Sequence, residues 1–188
     1  MMDAMRSRGP IMAATVRLIE QHGFAAITVA AVAREAGVTR QTVYSNFGTL
    51  TELVSETMMT TVFEAYETVR ERTDAAPTAR EFVVELVVAA RAVLRDRPVL
   101  AALLRPDPQN PVFEADMMQR AVPAARMALD PILERSPGLA PHLDEIAEML
   151  VRFALSLLLF DSDLIATDDT LRELIDRWLG QTVTLLDT

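Results

Sequence analysis

The sequence contains no cysteine, and its 18 basic residues are all arginine. Without cysteine there is no disulfide bridge, no thiolate metal site and no cysteine nucleophile. Long apolar runs are also missing, since uninterrupted runs such as residues 157–160 are far too short to span a bilayer. Residues 1–6 do not begin an apolar stretch of the kind that a signal peptide needs. We therefore expect a cytoplasmic protein.

Aromatic residues are scarce, with seven Phe, two Tyr and one Trp in 188 residues. The abundance of Ala, Leu and Val favours helices over sheets. Proline and glycine punctuate the helical patterns, and Pro10 is expected to begin the first helix. We predict an all-α protein of about nine helices. Residues 1–48 form an N-terminal three-helix domain, residues 49–188 form a helical body, and a helix over 49–73 links the two.

The charge of the chain is distributed unevenly. The net charge is −9, which argues against a general nucleic-acid binder. Residues 1–50, however, carry five arginines against three acidic residues, whereas the rest carries 13 arginines against 24 acidic residues. A basic domain on an acidic body fits specific DNA binding, but it fits a plain acidic protein with a near-neutral end equally well.

Residues 28–47 have the spacing of a helix-turn-helix. This motif needs a small residue where two helices cross, a turn residue that tolerates positive φ, and an apolar residue facing inward on the second helix. Ala33, Gly37 and Val43 supply these three in turn. Thr28 and Thr39 stand where each helix would be capped. The segment therefore predicts a DNA-binding helix pair.

The second helix of this motif presents a polar outer face. The helical wheel places Gln41 and Ser45 outward with Thr42 and Tyr44 on the flanks, and Arg40 reaches out at the N-terminal end. Arginine can pair with guanine and glutamine with adenine, while hydroxyls suit phosphates or bases. The predicted DNA-binding residues are Thr28, Thr39, Arg40, Gln41, Thr42, Tyr44, Ser45, Asn46 and Thr49.

Residues 8–55 resemble the N-terminal domain of the TetR family of regulators. The residues that carry the resemblance are Arg8, Ala13, Ala14, Leu18, Gly23, Phe24, Thr28, Val29, Val32, Ala33, Ala36, Gly37, Val38, Tyr44, Phe47 and Leu53. The resemblance implies a homodimer that reads a roughly palindromic operator, usually as a repressor released by a small ligand. Two positions depart from the family, since Leu50 replaces a usual lysine and Asn46 replaces a usual His or Tyr. We expect the helix N-terminus at residue 49 still to offer free N–H groups to a phosphate.

The resemblance also implies a ligand pocket and a dimer interface in the helical body. We expect the effector to be a hydrophobic or amphipathic small molecule with few charges. The pocket candidates are Met58, Met59, Phe63, Phe82, Leu86, Leu103, Phe113, Met117 and Phe153. The dimer candidates are Leu157, Leu158, Ile175, Trp178 and Leu179. Arg152 lies in an apolar run, where it could anchor a ligand carboxylate or pair with an acidic residue of the chain.

Two other classes of protein compete with this interpretation. A helical-bundle enzyme would need pairs of Glu-x-x-His for a di-iron site, but Ile19 and Leu139 stand three residues before His22 and His142. No phosphate-binding loop, nucleophile elbow or dinucleotide fingerprint is present, so we predict no enzyme, no cofactor and no metal. A DNA-binding protein without an effector would need a broadly basic surface. Sharp preference for one DNA sequence would favour the regulator, and catalytic turnover would favour the enzyme.

Overall fold

A computed structural model describes residues 2–103, 117–160 and 162–187, which form helices and turns and contain no strand. The all-α prediction is confirmed. The first six helices are α1 (Met2–His22), α2 (Val29–Ala36), α3 (Arg40–Phe47), α4 (Leu50–Asp74), α5 (Ala79–Asp96) and α6 (Pro98–Leu103). The others are α7 (Met117–Leu129), α8 (Ile132–Arg135), α9 (Leu143–Leu159), α10 (Asp168–Ile175) and α11 (Gln181–Leu186). Short 3₁₀ turns cover Phe24–Ala26, Pro137–His142 and Asp163–Ile165, and a π turn covers Asp176–Gly180.

The described residues group into two compact units. The N-terminal unit contains residues 2–64 and 97–103, and the C-terminal unit contains residues 65–96, 117–160 and 162–187. The first turns of α4 thus group with the helices that precede them. A functional boundary at residues 48 and 49 stays a prediction. No helix in the described ranges combines the length and the apolar character that crossing a membrane requires.

The N-terminal unit is built on α1, which packs against α2, α3 and α6. Ile11, Ala14, Leu18 and Ile19 recur at helical spacing, and all four are buried. This apolar stripe forms the core on which the two shorter helices rest. The prediction that α1 begins at Pro10 was wrong, because the helix starts at Met2 and contains Pro10. Proline lacks the N–H that would bond one turn back, so this helix continues at the cost of one hydrogen bond.

The C-terminal unit is built around α5, which packs against α9, α10 and the π turn. Phe82, Val83 and Val88 on this helix are at most 1% exposed. A bidentate ion pair joins α5 to the π turn, since Arg80 donates to both carboxylate oxygens of Asp176 at 2.6 Å. These hydrogen bonds lower the pKa of Asp176 and raise the pKa of Arg80. Carboxylate and guanidinium therefore stay ionised throughout the physiological pH range.

Candidate DNA-binding site

The turn between α2 and α3 has the geometry that the sequence predicts. Thr28 caps α2 by accepting a hydrogen bond from the Ala31 N–H at 3.1 Å. Gly37 ends the helix with φ 68° and ψ 29°, a left-handed conformation that glycine adopts without a steric penalty. The Val38 N–H then donates to the Ala33 carbonyl at 2.9 Å. The chain leaves α2 with its last carbonyls partly satisfied and enters α3 at once.

The two helices cross where the small residue is predicted. Ala33 is 4% exposed and Val43 is 2% exposed, so both face the interior. Val32 and Phe47 are buried beside them. Because one face of α3 is fixed in this core, the orientation of its opposite face is fixed as well. The predicted helix-turn-helix is confirmed as a structural motif.

The N-terminus of α3 is closed by two threonines. Thr39 accepts a hydrogen bond from the Thr42 N–H at 3.1 Å. The two hydroxyls also share a hydrogen bond at 2.9 Å. Thr39 is therefore a capping residue first, and Thr42 is half-buried with its hydroxyl engaged. Both threonines hold α3 in place while the neighbouring side chains stay available.

Four side chains of α3 point to solvent, and we call Arg40, Gln41, Tyr44 and Ser45 the recognition surface. Tyr44 is 50% exposed although its ring is large and apolar. The Ser45 hydroxyl donates to the Thr42 carbonyl at 3.0 Å. The surface combines one cation, one amide and two hydroxyl groups on a rigid helix. These are the groups that read base edges and hold phosphates.

Asn46 takes a different position from the recognition surface. Its side-chain amide donates to the Thr42 carbonyl at 2.7 Å, and the side chain is half-buried. Its Oδ1 atom is shielded from solvent and has no hydrogen-bond partner within the described ranges. The structure therefore turns Asn46 back onto its own helix. Its predicted role at the DNA stays a prediction.

Arg8 connects three helices of the N-terminal unit. It donates to the Asn46 carbonyl, forms an ion pair with Glu56 and stacks over the Phe47 ring with 4.4 Å between guanidinium carbon and ring centroid. The sequence identified Arg8 only as part of the family pattern. The structure adds a reason for an arginine here, because a planar guanidinium can stack and bridge at the same time.

The N-terminus of α4 is occupied by a carboxylate of its own helix. Glu52 accepts hydrogen bonds from the Thr49 N–H and from the Thr49 hydroxyl, both at 2.8 Å. The Thr49 hydroxyl in turn accepts from the Glu52 N–H at 3.1 Å. This arrangement is a capping box. The expectation of free N–H groups was therefore wrong for Thr49, whose N–H is already bonded to an anion.

The basic character of the N-terminal unit comes from few side chains. Arg17 pairs with Glu35 at 2.8 Å, and Arg8 pairs with Glu56. Arg34 and Arg40 are exposed, and within the described ranges neither forms an ion pair. Arg40 therefore supplies the unpaired positive charge of the recognition surface.

Comparison with protein families identifies this helix-turn-helix. Residues 11–57 match the family model for "Bacterial regulatory proteins, tetR family". The helix-turn-helix of this chain is thus similar to that of the TetR family. The match covers α2, the turn and α3 completely, together with part of α1 and the start of α4. No curated protein sequence matches the chain significantly.

Solved structures of transcriptional regulators share the fold over nearly the whole chain. The TetR-family repressor AlkX from Dietzia sp. strain DQ12-45-1b is 19% identical, with a TM-score of 0.62 over 96% of this chain and 97% of that chain. A transcriptional regulator from Rhodococcus sp. Rha1 is 20% identical, with a TM-score of 0.65 over 97% and 98%. NalD, the secondary repressor of the MexAB-OprM efflux pump in Pseudomonas aeruginosa, is 21% identical, with a TM-score of 0.57 over 94% and 97%. At these identities the likeness establishes the fold.

The C-terminal unit contains an apolar cavity of about 220 Å³. Four alanines leave space between larger residues of α4, α5, α7 and α9, and Tyr66 is the aromatic residue of the wall. The lining residues are Tyr66, Val69, Leu86, Val87, Ala90, Ala125, Ala128, Leu150, Val151 and Ala154. No cluster of three or more His, Asp or Glu suited to a metal occurs in the ranges that the structure describes.

The predicted pocket residues are dispersed in the structure. Met58 is buried in the N-terminal unit, whereas Met59 and Phe63 on the same helix are 72% and 64% exposed. In the C-terminal unit, Leu86 lines the cavity, and Phe82 is a core residue beneath the guanidinium of Arg135. Phe153 is half-buried and does not line the cavity. Phe113 and the side chains of Leu103 and Met117 lie outside the described residues. Helical periodicity identified apolar faces here, but it could not identify which of them enclose space.

The predicted dimer residues also take different positions. Ile175 and Leu179 are buried within their own unit, at 1% and 6% exposed. Trp178 between them is 65% exposed, and Leu157 is half-buried. The side chain of Leu158 lies outside the described residues. Trp178 is therefore the candidate with the most apolar surface available to a partner.

Proposed function

We propose that this chain is a sequence-specific DNA-binding transcriptional regulator, acting as a homodimeric repressor that a small apolar molecule releases from its operator. The recognition surface carries the first part of this proposal. Arg40, Gln41 and Tyr44 are exposed on a helix whose other face is locked in a core. A helix held in this way can enter a major groove without losing backbone conformational freedom.

Each residue of the recognition surface suits a particular task. Arg40 lies at the first turn of α3, and recognition helices meet base edges with their N-terminal residues. Its guanidinium can donate two hydrogen bonds to a guanine, and the amide of Gln41 can pair with an adenine. The hydroxyls of Tyr44 and Ser45 suit phosphate oxygens. We assign base reading to Arg40 and Gln41, and positioning on the backbone to Tyr44 and Ser45.

The homodimer is supported by exposed apolar side chains in the C-terminal unit. Trp178 and Leu185 are 65% and 73% exposed on the last helical segment, and Met149 on α9 is 41% exposed. A monomer in water would leave this surface uncovered, whereas a two-fold axis would cover the patch of each copy with that of the other. Dimers of helix-turn-helix proteins read two half-sites about 34 Å apart.

Release by a small molecule is supported by the apolar cavity. Its wall is almost entirely aliphatic, so an occupant gains by leaving water and has few polar groups to satisfy. At about 220 Å³ it is smaller than the roughly 300–1,000 Å³ of sites for drug-sized molecules. A ligand alters DNA affinity only by its different affinity for the two states of the protein. We therefore expect a compact effector.

The proposed DNA binding is tested by selection from a randomised duplex library, followed by fluorescence anisotropy with the selected sequence. We expect one roughly palindromic sequence to be enriched. Arg40→Ala should weaken binding about a hundredfold, because one base-reading pair contributes about 1–3 kcal/mol and a dimer loses two. Arg152→Ala is the matched control, since Arg152 is exposed and pairs with Glu148 on α9. Equal affinity of the wild type and Arg40→Ala for the selected DNA would contradict the proposal.

A further inference from the structure

Most arginines of the C-terminal unit contact a carboxylate. Those that form ion pairs are Arg70, Arg80, Arg95, Arg126, Arg152 and Arg172. Arg152, which the sequence left open as a ligand anchor, is 58% exposed at its side chain and pairs with Glu148 one turn before it. The charge of Arg152 is therefore already paired within its own helix. An arginine without a carboxylate partner is therefore the better candidate for binding an anion.

Arg91 on α5 is one such arginine. Its Nη1 atom is shielded from solvent and has no hydrogen-bond partner within the described ranges. The residues one turn away on the helix are Val87, Val88, Leu94 and Arg95, so no acidic residue is available at the spacing that forms ion pairs within a helix. A guanidinium remains ionised in proteins, and shielding it from water without a partner costs free energy. An anion brought to Arg91 would recover that cost.

Arg91 lies beside the apolar cavity. Val87 and Ala90 line the cavity from α5, and Arg91 follows Ala90 directly and stands one helical turn after Val87. Side chains of a helix lean toward its N-terminus and lie over the preceding turn. The long stem of Arg91 therefore extends back along α5 toward the turn that contains Val87. The same stretch of α5 thus carries a cationic side chain and part of the apolar wall.

We propose that the effector of this protein is a small amphipathic anion whose apolar part fills the cavity and whose carboxylate pairs with Arg91. This inference rests on the proposed function, because it names the chemical class of the molecule expected in the same cavity. A carboxylate is the preferred anion, since its two oxygens match the fork of a guanidinium. The aliphatic wall disfavours a second charge, so the class is that of short monocarboxylates with an alkyl or alicyclic body.

Three eight-carbon probes test the inference by isothermal titration calorimetry on the purified full chain. Octanoate, octanol and octylamine share the alkyl chain and carry a negative, neutral or positive head at neutral pH. We expect octanoate to bind about 10 to 100 times more tightly than octanol, because a hydrogen bond to a charged partner contributes that much. Octylamine should bind more weakly than octanol, since it would place a second cation beside Arg91.

Substitutions of Arg91 test the contribution of its charge to binding separately from the contribution of the cavity. Arg91→Gln should bring octanoate to the affinity of octanol and leave octanol unchanged. Arg91→Lys should keep part of the preference for octanoate, and Arg152→Gln should keep all of it. Thermal unfolding without ligand provides a second measurement. Arg91→Gln should be no less stable than the wild type, because it removes a shielded charge without a partner.

A variant with a filled cavity tests ligand binding separately from the DNA binding of the proposed function. Ala154→Leu replaces a methyl group of the wall with an isobutyl group and should abolish binding of both octanoate and octanol, while DNA binding measured without ligand is retained. If octanol binds and octanoate is not preferred, or if Arg91→Gln keeps the preference, the assignment of Arg91 is wrong and the cavity stands. If none of the probes binds, the inference is overturned, whereas loss of sequence-specific DNA binding would instead overturn the proposed function.

Discussion

At the scale of single residues, Glu52 is the side chain that most alters the expected DNA contact. Its carboxylate holds the N–H and the hydroxyl of Thr49, at the helix N-terminus where the family resemblance predicts a phosphate contact. A carboxylate and a phosphate at one helix end repel each other. The chain thus uses this helix end for its own stability and gives up part of its attraction for DNA. In the proposed complex with DNA, Arg40 supplies correspondingly more of the electrostatic contact.

This competition predicts that Glu52→Gln tightens DNA binding. The substitution removes one negative charge per subunit and retains an oxygen that can accept from Thr49. We expect the dissociation constant for the selected DNA to fall about two- to tenfold, because a charge at a helix N-terminus contributes about 0.3–1 kcal/mol. Fluorescence anisotropy at several salt concentrations measures the effect.

The C-terminal unit provides a matched control for this prediction. Glu81 caps α5 in a similar way, since the Thr78 hydroxyl donates to its carboxylate at 2.8 Å and accepts from the Glu81 N–H at 3.2 Å. Glu81→Gln removes the same charge from a similar cap outside the recognition motif. It should leave DNA affinity unchanged. Equal tightening by the two substitutions would mean that only the net charge of the chain matters.

What the sequence predicts about single residues depends on whether the physical cause is local. The caps at Thr28 and Thr39 and the left-handed Gly37 were predictable, because each depends on residues within one turn of chain. The bridging contacts of Arg8 were not, since they join residues 38 and 48 positions apart. The engaged N–H of Thr49 could have been found, because Thr49 and Glu52 have the spacing of a capping box.

At the scale of elements, the turn between α2 and α3 depends on the backbone of Gly37. An added Cβ would meet no atom within 4 Å, but φ is +68°. The cost of Gly37→Ala is therefore conformational, about 1–2 kcal/mol, and it falls on the turn that orients α3. We expect a lower free energy of unfolding in urea and weaker DNA binding. Gly37→Asn should recover part of both, because asparagine tolerates this conformation better.

Gly9 is the control position, because an alanine substitution there should change the stability in the opposite direction. It lies within α1, an added Cβ would also meet no atom within 4 Å, and its φ is not in the left-handed region. Gly9→Ala should stabilise the protein by up to about 1 kcal/mol, because alanine favours the helix. If both alanine substitutions changed stability in the same direction, the conformation of Gly37 would not be the reason for its glycine.

The bounds of α4 were predictable to within a residue, whereas the start of α1 and the π turn in the last helix were not. A helix over residues 49–73 is observed as Leu50–Asp74, because a long apolar period without a breaker defines it. The last helix is interrupted by a π turn at Asp176–Gly180. That turn places Asp176 against Arg80 of α5, and Gly180 lies so close to α5 that an added Cβ would be 3.1 Å from Cγ of Arg80. Such a tertiary contact leaves no periodic signal in the sequence.

At the scale of the whole molecule, the helical class and the resemblance of the N-terminal domain to the TetR family follow from the sequence, whereas the cavity does not. Apolar periodicity predicts which faces of the helices are buried, and it does so for α5 and α9. A cavity exists where packed side chains fail to fill the space between helices. Here the small side chains of Ala90, Ala125, Ala128 and Ala154 leave that space. A search for large apolar residues therefore selected core residues such as Phe82 instead.

The structure is also needed to interpret the distribution of charge along the chain. The arginine excess of residues 1–50 suggests a basic domain, yet Arg8 and Arg17 are both paired with acidic residues. DNA binding by this acidic chain must therefore depend on a few well-placed contacts. Such binding favours selectivity for one sequence over general attraction to DNA, because the nonspecific electrostatic contribution scales with the number of phosphates neutralised.

The assembly prediction concerns the exposed apolar side chains of the last helical segment. Trp178 and Leu185 should be covered by the second copy in a dimer, because together they expose a large apolar surface. Sedimentation velocity should show a dimer of the wild type at micromolar concentration. The double variant Trp178→Glu, Leu185→Glu should be monomeric there, since burial of each side chain contributes about 1.5–3 kcal/mol and a two-fold axis doubles that contribution.

The control for assembly is a residue of equal exposure in another element. Leu164 is 78% exposed in the 3₁₀ turn Asp163–Ile165, so Leu164→Glu replaces a similar apolar surface with the same charge. It should remain dimeric and bind the selected DNA like the wild type. The double variant should keep its helical circular dichroism and lose tight binding, because one subunit contacts only one half-site. A wild type that is monomeric at micromolar concentration, or a double variant that remains dimeric, would show that this surface does not hold two copies together.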